Sequence, residues 1–311
     1  MKNTILIVLS LICLSTNASD SSKTDLNLSL FADVFYCFDF NRPLGSQKQD
    51  FLFNHNRHNE FNLNLGLIKF NILNARYRAN LGLITGTYSM DNYAAEPPGL
   101  QNIFEANIGL ALNKKQTLWL DAGILPSHIG FESAISTENL TLTRSLCAEN
   151  SPNFNSGAKL TFHANKKLEI AGLILNGWQR IQKVGGNSLP SFGTQVLYNQ
   201  SEKIRFNWST FIGTDDPDSL RRTRYFSNLY TFWKPSSKLE LVMGFDLGAQ
   251  QKSRASKDYH FWLSPVIIGS YQIHENWRMA LRAEYYQDQA SVIIPEQNNQ
   301  GFDAWGSSVN I

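Results

Sequence analysis

Two histidines and a carboxylate, His55, His58 and Glu60, fall within six residues of one another. These are residue types that bind zinc, but a metal site needs three or more ligands converging on one point. In extended backbone His55 and His58 point to opposite sides. The segment therefore predicts structural hydrogen bonding at a loop rim, with no metal ligand among its residues. His163 has no serine placed to make it a general base. The chain has no nucleophile elbow, phosphate-binding loop or zinc-binding helix motif. Neither catalysis nor a cofactor is expected.

The remaining chemistry lies in charged side chains that occupy alternate positions of apolar-rich segments. Those facing away from the apolar rows are Asp33, Asp39, Glu60, Arg76, Arg78, Glu105, Asp121, Lys159, Glu169, Arg205, Glu240, Asp246, Arg278, Arg282 and Glu284. They number nine acids and six bases, a balance of −3. Lining a common water-filled lumen, they would favour cations weakly, because charged rings set ion preference.

The elements carrying these residues are strands. Side chains alternate faces with a period of two. In 26–40 the apolar face runs Leu26, Leu28, Leu30, Ala32, Val34, Tyr36, Phe38 and Phe40. The next row reads Phe61, Leu63, Leu65 and Leu67, and a later one Phe104, Ala106, Ile108 and Leu110. No charge interrupts these rows, and Lys69 stands only at the end of one. An Arg or Lys facing lipid at mid-depth costs about 2–4 kcal/mol, whereas a soluble sheet has no such penalty on its exposed face. Segments 168–178 and 225–233 are apolar on both faces, and Pro265 predicts a bulge in 259–271.

Connectors between the strands alternate in length. Short ones fall at 71–74, 113–116, 164–167, 199–203, 234–237 and 272–276. Long ones fall at 41–58, 88–100, 126–154, 179–191, 215–223, 250–258 and 287–301. Tight turns on one rim and long loops on the other predict an all-β fold, an antiparallel up-and-down transmembrane β-barrel. About fourteen strands are visible. The mean hydropathy of −0.27 suits this, since alternate strand residues face water inside.

The N-terminus predicts export. Lys2 supplies a positive region, 4–14 an apolar one, and Thr16-Asn17-Ala18 a small-residue cleavage site. Residues 1–18 are thus expected to be a signal peptide and 19–311 one barrel domain. Eleven apolar-rich residues are too few to span about 30 Å of hydrocarbon as a helix. The net charge of +2 shows no basic stripe for nucleic acid. Cys37 and Cys147 would remain after cleavage, either paired or as two free, half-buried thiols.

Three stretches carry a resemblance: FNHNRHNEFNLNLGLI at 53–68, GILPSHIGFESAISTENLTLTRSLCAENSPNFNSGAKL at 123–160 and GLILNGWQRI at 172–181. The chain resembles the OmpL-like β-barrel porins of Gram-negative outer membranes. Leu140 stands where that family would have Trp, and Cys147 is not one of its features. The resemblance implies a porin-type barrel and brings no catalytic residues. It also implies about one further hairpin beyond 309–311, so that sixteen strands and a chain longer than 311 residues are expected of the intact protein.

The connector 126–154 carries Glu132, Glu138, Arg144 and Glu149 among apolar residues. It is expected to fold into the barrel and constrict it, or else to pack as a lid on the rim. The expected function is passive diffusion of small polar solutes or ions. The alternative is a non-conducting barrel for adhesion or display, its lumen plugged by large apolar or densely paired side chains. The partners expected are outer-membrane lipid, the barrel assembly machinery and further copies of the chain.

Overall fold

The computed structural model describes residues 24–295 and 300–311, so the expected signal peptide lies outside the described residues. Fourteen antiparallel strands form one up-and-down sheet in sequence order. They are β1 (Asp25–Tyr36), β2 (Phe61–Leu73), β3 (Tyr77–Thr85), β4 (Ile103–Ala111), β5 (Leu118–Pro126), β6 (Phe154–His163) and β7 (Leu168–Leu175). Then follow β8 (Ser191–Ser201), β9 (Ile204–Gly213), β10 (Arg224–Trp233), β11 (Leu239–Gln251), β12 (Tyr259–His274), β13 (Trp277–Asp288) and β14 (Phe302–Asn310). β1 and β14 end the order, and among the described residues each pairs with one neighbour. No described helix is long and apolar enough to cross a membrane.

The long connectors are L1 (37–60), L2 (86–102), L3 (127–153), L4 (176–190), L5 (214–223), L6 (252–258) and L7 (289–301). L2 holds the short helix α1 (Thr87–Asn92), and L3 holds a 3₁₀ turn (Ser136–Glu138) and α2 (Leu146–Glu149). Polar side chains close the tight turns on their own backbone, as Asn and Ser do in Asx and ST turns. Asn113 Oδ1 accepts from Thr117 N at 2.9 Å, and Asn165 Oδ1 from Lys167 N at 2.8 Å.

The first strand ends at Tyr36, earlier than its alternation predicts. Cys37, Phe38, Asp39 and Phe40 belong to L1, whose backbone bonds back on itself through Asn59 N to Cys37 O at 2.7 Å. The predicted row of β2 is also broken. A register shift between Asp33 and Val34 of β1 leaves Asn64 bulged. Beyond it Leu65 and Leu67 are buried, while Ile68 and Phe70 are exposed. A bulge adds one residue to one strand and so reverses the parity beyond it. Phe104 behaves likewise: a shift between Gly82 and Leu83 turns it toward the cluster of Leu65, Leu67, Ile84 and Tyr88.

Pro265 causes no register shift in β12. It pairs with Phe245 on one side, and the register with β13 is the same on either side of it, Leu263 with Gln287 and Val266 with Glu284. Proline has no N–H to give Tyr285 across that ladder. Ser264 Oγ donates to Tyr285 O at 2.9 Å in its place.

The outward face is a belt of exposed apolar residues, including Leu81, Ile108, Leu160, Phe206, Leu229, Phe245 and Leu281. Outward polar groups partner one another: Thr194 and Thr210 hydroxyls lie 2.6 Å apart, and Trp208 Nε1 donates to Ser227 Oγ at 3.0 Å. Hydrocarbon demands this, because it offers polar groups no alternative partner. The inward face is more apolar than a purely polar lumen would be. Ala171, Leu173, Leu175, Phe211, Phe226, Trp262 and Tyr286 form one buried cluster with Ile129 and Leu146 of L3 and Ile294 of L7.

Candidate functional site

L3 leaves the sheet at β5 and returns at β6, yet it touches strands far around the order. Ser209 Oγ of β9 and Gln195 Nε2 of β8 donate to His128 O at 2.6 and 3.2 Å. Gly130 N donates to Asn228 Oδ1 of β10 at 3.1 Å, and Leu146 N to Glu284 Oε2 of β13 at 2.6 Å. Leu142 N donates to Asn310 Oδ1 of β14 at 3.0 Å. A loop meets β8, β9, β10, β13 and β14 at once only when the sheet curves around it. L3 therefore runs through the interior.

Three of the four charged L3 residues predicted to constrict the lumen anchor the loop. Glu149, buried, accepts from Phe53 N at 2.7 Å, Asn54 N at 3.3 Å and Asn54 Nδ2 at 3.0 Å, tying L1 to α2. Buried Arg144 lies 3.9 Å from Glu149 and donates to Tyr88 OH at 3.4 Å and to Ala148 O. Glu132 accepts from Ser145 N at 3.0 Å and from the Ser145 hydroxyl. Burial pushes its carboxyl above the usual range, against the pull of Ser145. Glu138 alone of the four is exposed.

His128 is a further anchor that the sequence did not single out. Its Nε2 donates to Thr210 O at 2.9 Å, and its Nδ1 accepts from Asn155 Nδ2 at 3.3 Å. Burial pushes it down to about 4, and nearby Lys159 adds to the effect. It is neutral at neutral pH.

Many of the charged strand residues are engaged in pairs. Arg78 bonds Asp121 through Nε at 2.6 Å and a terminal nitrogen at 2.5 Å, and stacks over Trp119. Glu105 pairs with Lys69 at 2.6 Å, since the β2 bulge brings Lys69 inside. Arg282 donates to Glu284 at 2.8 Å and to Thr143 O of L3. Asp33 bonds His55 Nε2 and Asn64 Nδ2, both at 3.0 Å. Asp246 accepts from Asn228 Nδ2 at 2.5 Å. Lys159 donates to Gln195 Oε1 at 2.9 Å, Glu169 lies 3.3 Å from His163, and Glu240 lies 3.0 Å from Lys234.

Other predicted residues sit nearer the rims. Arg76 lies in the β2–β3 turn and is exposed, as is Arg278 at the start of β13. Glu60 closes L1 and accepts from Asn62 Nδ2 at 2.8 Å. Asp39 is in L1, where its N–H donates to His58 Nδ1 at 2.8 Å. His55 and His58 thus serve separate hydrogen bonds. Cys37 and Cys147 are both free, and burial raises the Cys147 thiol.

Among the described residues, two cavities along the inner wall adjoin each other. One, about 400 Å³, is lined by Tyr88, Phe104, Glu132, Glu138, Arg144, Arg205, Tyr230 and Phe232 among others. The second, about 750 Å³, opens among the turns β6–β7, β8–β9 and β10–β11. Glu138, Arg205 and Phe232 line both, and so mark where one cavity meets the other. Arg205 is exposed, bonds Asn199 Oδ1 at 3.1 Å and lies 5.5 Å above the Phe232 ring.

A family model described as "Putative beta-barrel porin-2, OmpL-like" matches residues 25–311. No curated protein matches the chain. Among solved structures, OmpT, an outer membrane protein of Vibrio cholerae in a trimer form, is 7% identical with a TM-score of 0.44. The match covers 92% of this chain and 94% of that one. The outer membrane channel DcaP of Acinetobacter baumannii is 9% identical, TM-score 0.42, covering 92% and 95%. OccAB4 of the same organism is 8% identical, TM-score 0.44, covering 93% and 78%.

Proposed function

Because the chain belongs to the OmpL-like β-barrel porin-2 family, we propose that it forms a water-filled outer-membrane channel for passive diffusion of small polar solutes, constricted by L3. The observation that carries this reading is the pair of adjoining cavities sharing Glu138, Arg205 and Phe232. Here an exposed carboxylate on L3 faces the cavity shared with an exposed guanidinium on β9. Such a charged narrowing passes small polar solutes while excluding large apolar ones. The role is transport, with no reaction catalysed. Export through a cleaved signal peptide, assembly by the barrel machinery and association of several copies belong to the same reading.

A specific observation favours a second reading, the non-conducting barrel. The inward cluster of Leu173, Leu175, Phe211, Phe226 and Trp262 meets L3 and L7, and L1 joins α2 through Glu149. Liposome swelling separates the two. Vesicles carrying the purified protein should swell in isotonic small sugars and amino acids, and should not swell in a large oligosaccharide. Vesicles that stay silent in every solute while the protein shows heat-modifiable migration would favour the display barrel.

A further inference from the structure

The charged groups along the candidate path are not balanced as the whole-interior count suggests. Three of the inward acids are matched locally by a cation, Asp121 by Arg78, Glu105 by Lys69 and Glu284 by Arg282, while Asp33 and Asp246 are hydrogen-bonded by His55 and Asn228. The cavity among the short turns is different. Its wall carries five cations, Lys166, Lys167, Lys203, Lys234 and Arg205, against the three acids Glu138, Glu202 and Glu240. Lys234 and Glu240 neutralise each other at 3.0 Å. Among the described residues Lys166, Lys167, Lys203 and Arg205 make no ion pair, and the acids left to oppose them are Glu138 and Glu202.

Resting on the channel reading, we propose that this short-turn mouth is an anion-binding vestibule that draws in small solutes bearing a carboxylate or phosphate. Three adjacent turns bring the lysines together, and low-dielectric walls focus their field into the cavity. Arg205 sits at the inner end, its guanidinium fixed by Asn199 and Phe232. A planar fork held in one orientation suits bidentate bonding to carboxylate or phosphate oxygens. An anion concentrated by the lysines is then handed to Arg205, opposite Glu138, where the second cavity begins.

The test uses the full chain in planar bilayers of zwitterionic lipid under a potassium chloride gradient. The reversal potential should show chloride preference at 0.1 M salt, with a Debye length of about 10 Å, and less at 1 M, with about 3 Å. The triple variant Lys166→Gln, Lys167→Gln, Lys203→Gln should lose that preference. Cation preference in the parent protein, or a preference unchanged in the triple variant, would overturn the proposal. Calorimetric titration of the detergent-solubilised protein with inorganic phosphate reads the vestibule without conduction. Binding should weaken about tenfold in Arg205→Gln, the loss of a charge-assisted bond. Absence of channel steps with phosphate binding retained would refute the channel reading and leave the vestibule standing. Absence of phosphate binding would refute the vestibule.

Discussion

At the scale of single residues, the interior is held by groups whose alternatives are all costly. Removing one member of a buried ion pair leaves the other uncompensated, at a cost of about 3–5 kcal/mol. Glu149→Ala should therefore release Arg144 and free the backbone of Phe53 and Asn54. Limited proteolysis should cut the variant within L1 while the strands stay protected; parent-like resistance would count against Glu149 as the tie. His128 gives a pH dependence. Its value falls from 6.5 to about 4 on burial, so between these values the undocked loop binds more protons than the docked one. The stabilisation is present in full above 6.5 and is lost as pH falls toward 4. Hydrogen-exchange protection in 127–135, taken relative to the intrinsic exchange rate at each pH, should therefore fall from pH 7 to pH 5, and not in His128→Gln. The roles of Glu149 and His128 were hidden in the sequence because their partners lie tens of residues away. The charges of L3 were visible there, their division into three anchors and one exposed group was not.

Among the elements, each strand is defined by the side it shows to lipid. The connector alternation and the even-numbered row of β1 from Leu26 to Tyr36 were legible in the sequence, because lipid tolerates no charge over that length. The bulge at Asn64 was not, because Phe61 to Leu67 reads as one unbroken odd-numbered row and only Ile68-Lys69-Phe70 has the other parity. What fixes it is Asn64 itself, buried and bonded to His55 N, Asp33 and Asn54, each at 3.0 Å. Spin labels placed by cysteine at 68 and 69 discriminate the two parities. The label at Ile68 should be relaxed by oxygen dissolved in lipid, and the label at Lys69 should not. The reverse pattern would restore the unbroken row Phe61 to Leu67. The lysines of the short turns were equally visible as residues, but only the adjacency of three turns on one rim makes them a cluster.

For the whole molecule, the fourteen described strands surround a loop that contacts β14, the last of the strand order, as well as β9 in its middle. The fold class was readable because a membrane barrel repeats its pattern over most strands and sorts its connectors by length over all of them. How far the lumen is open was not, because inward apolar residues such as Leu173 and Trp262 match the outward ones in type. If L3 narrows the path, shortening it by removal of 136–142 should raise solute flux through vesicles severalfold, while gel migration stays heat-modifiable. Unchanged flux would show that L3 does not set the limit. The most direct test of the central claim is single-channel conductance of the purified chain in a planar bilayer. A water-filled channel gives discrete, repeatable current steps that scale with salt concentration. A folded, heat-modifiable protein that inserts yet yields no steps would contradict it.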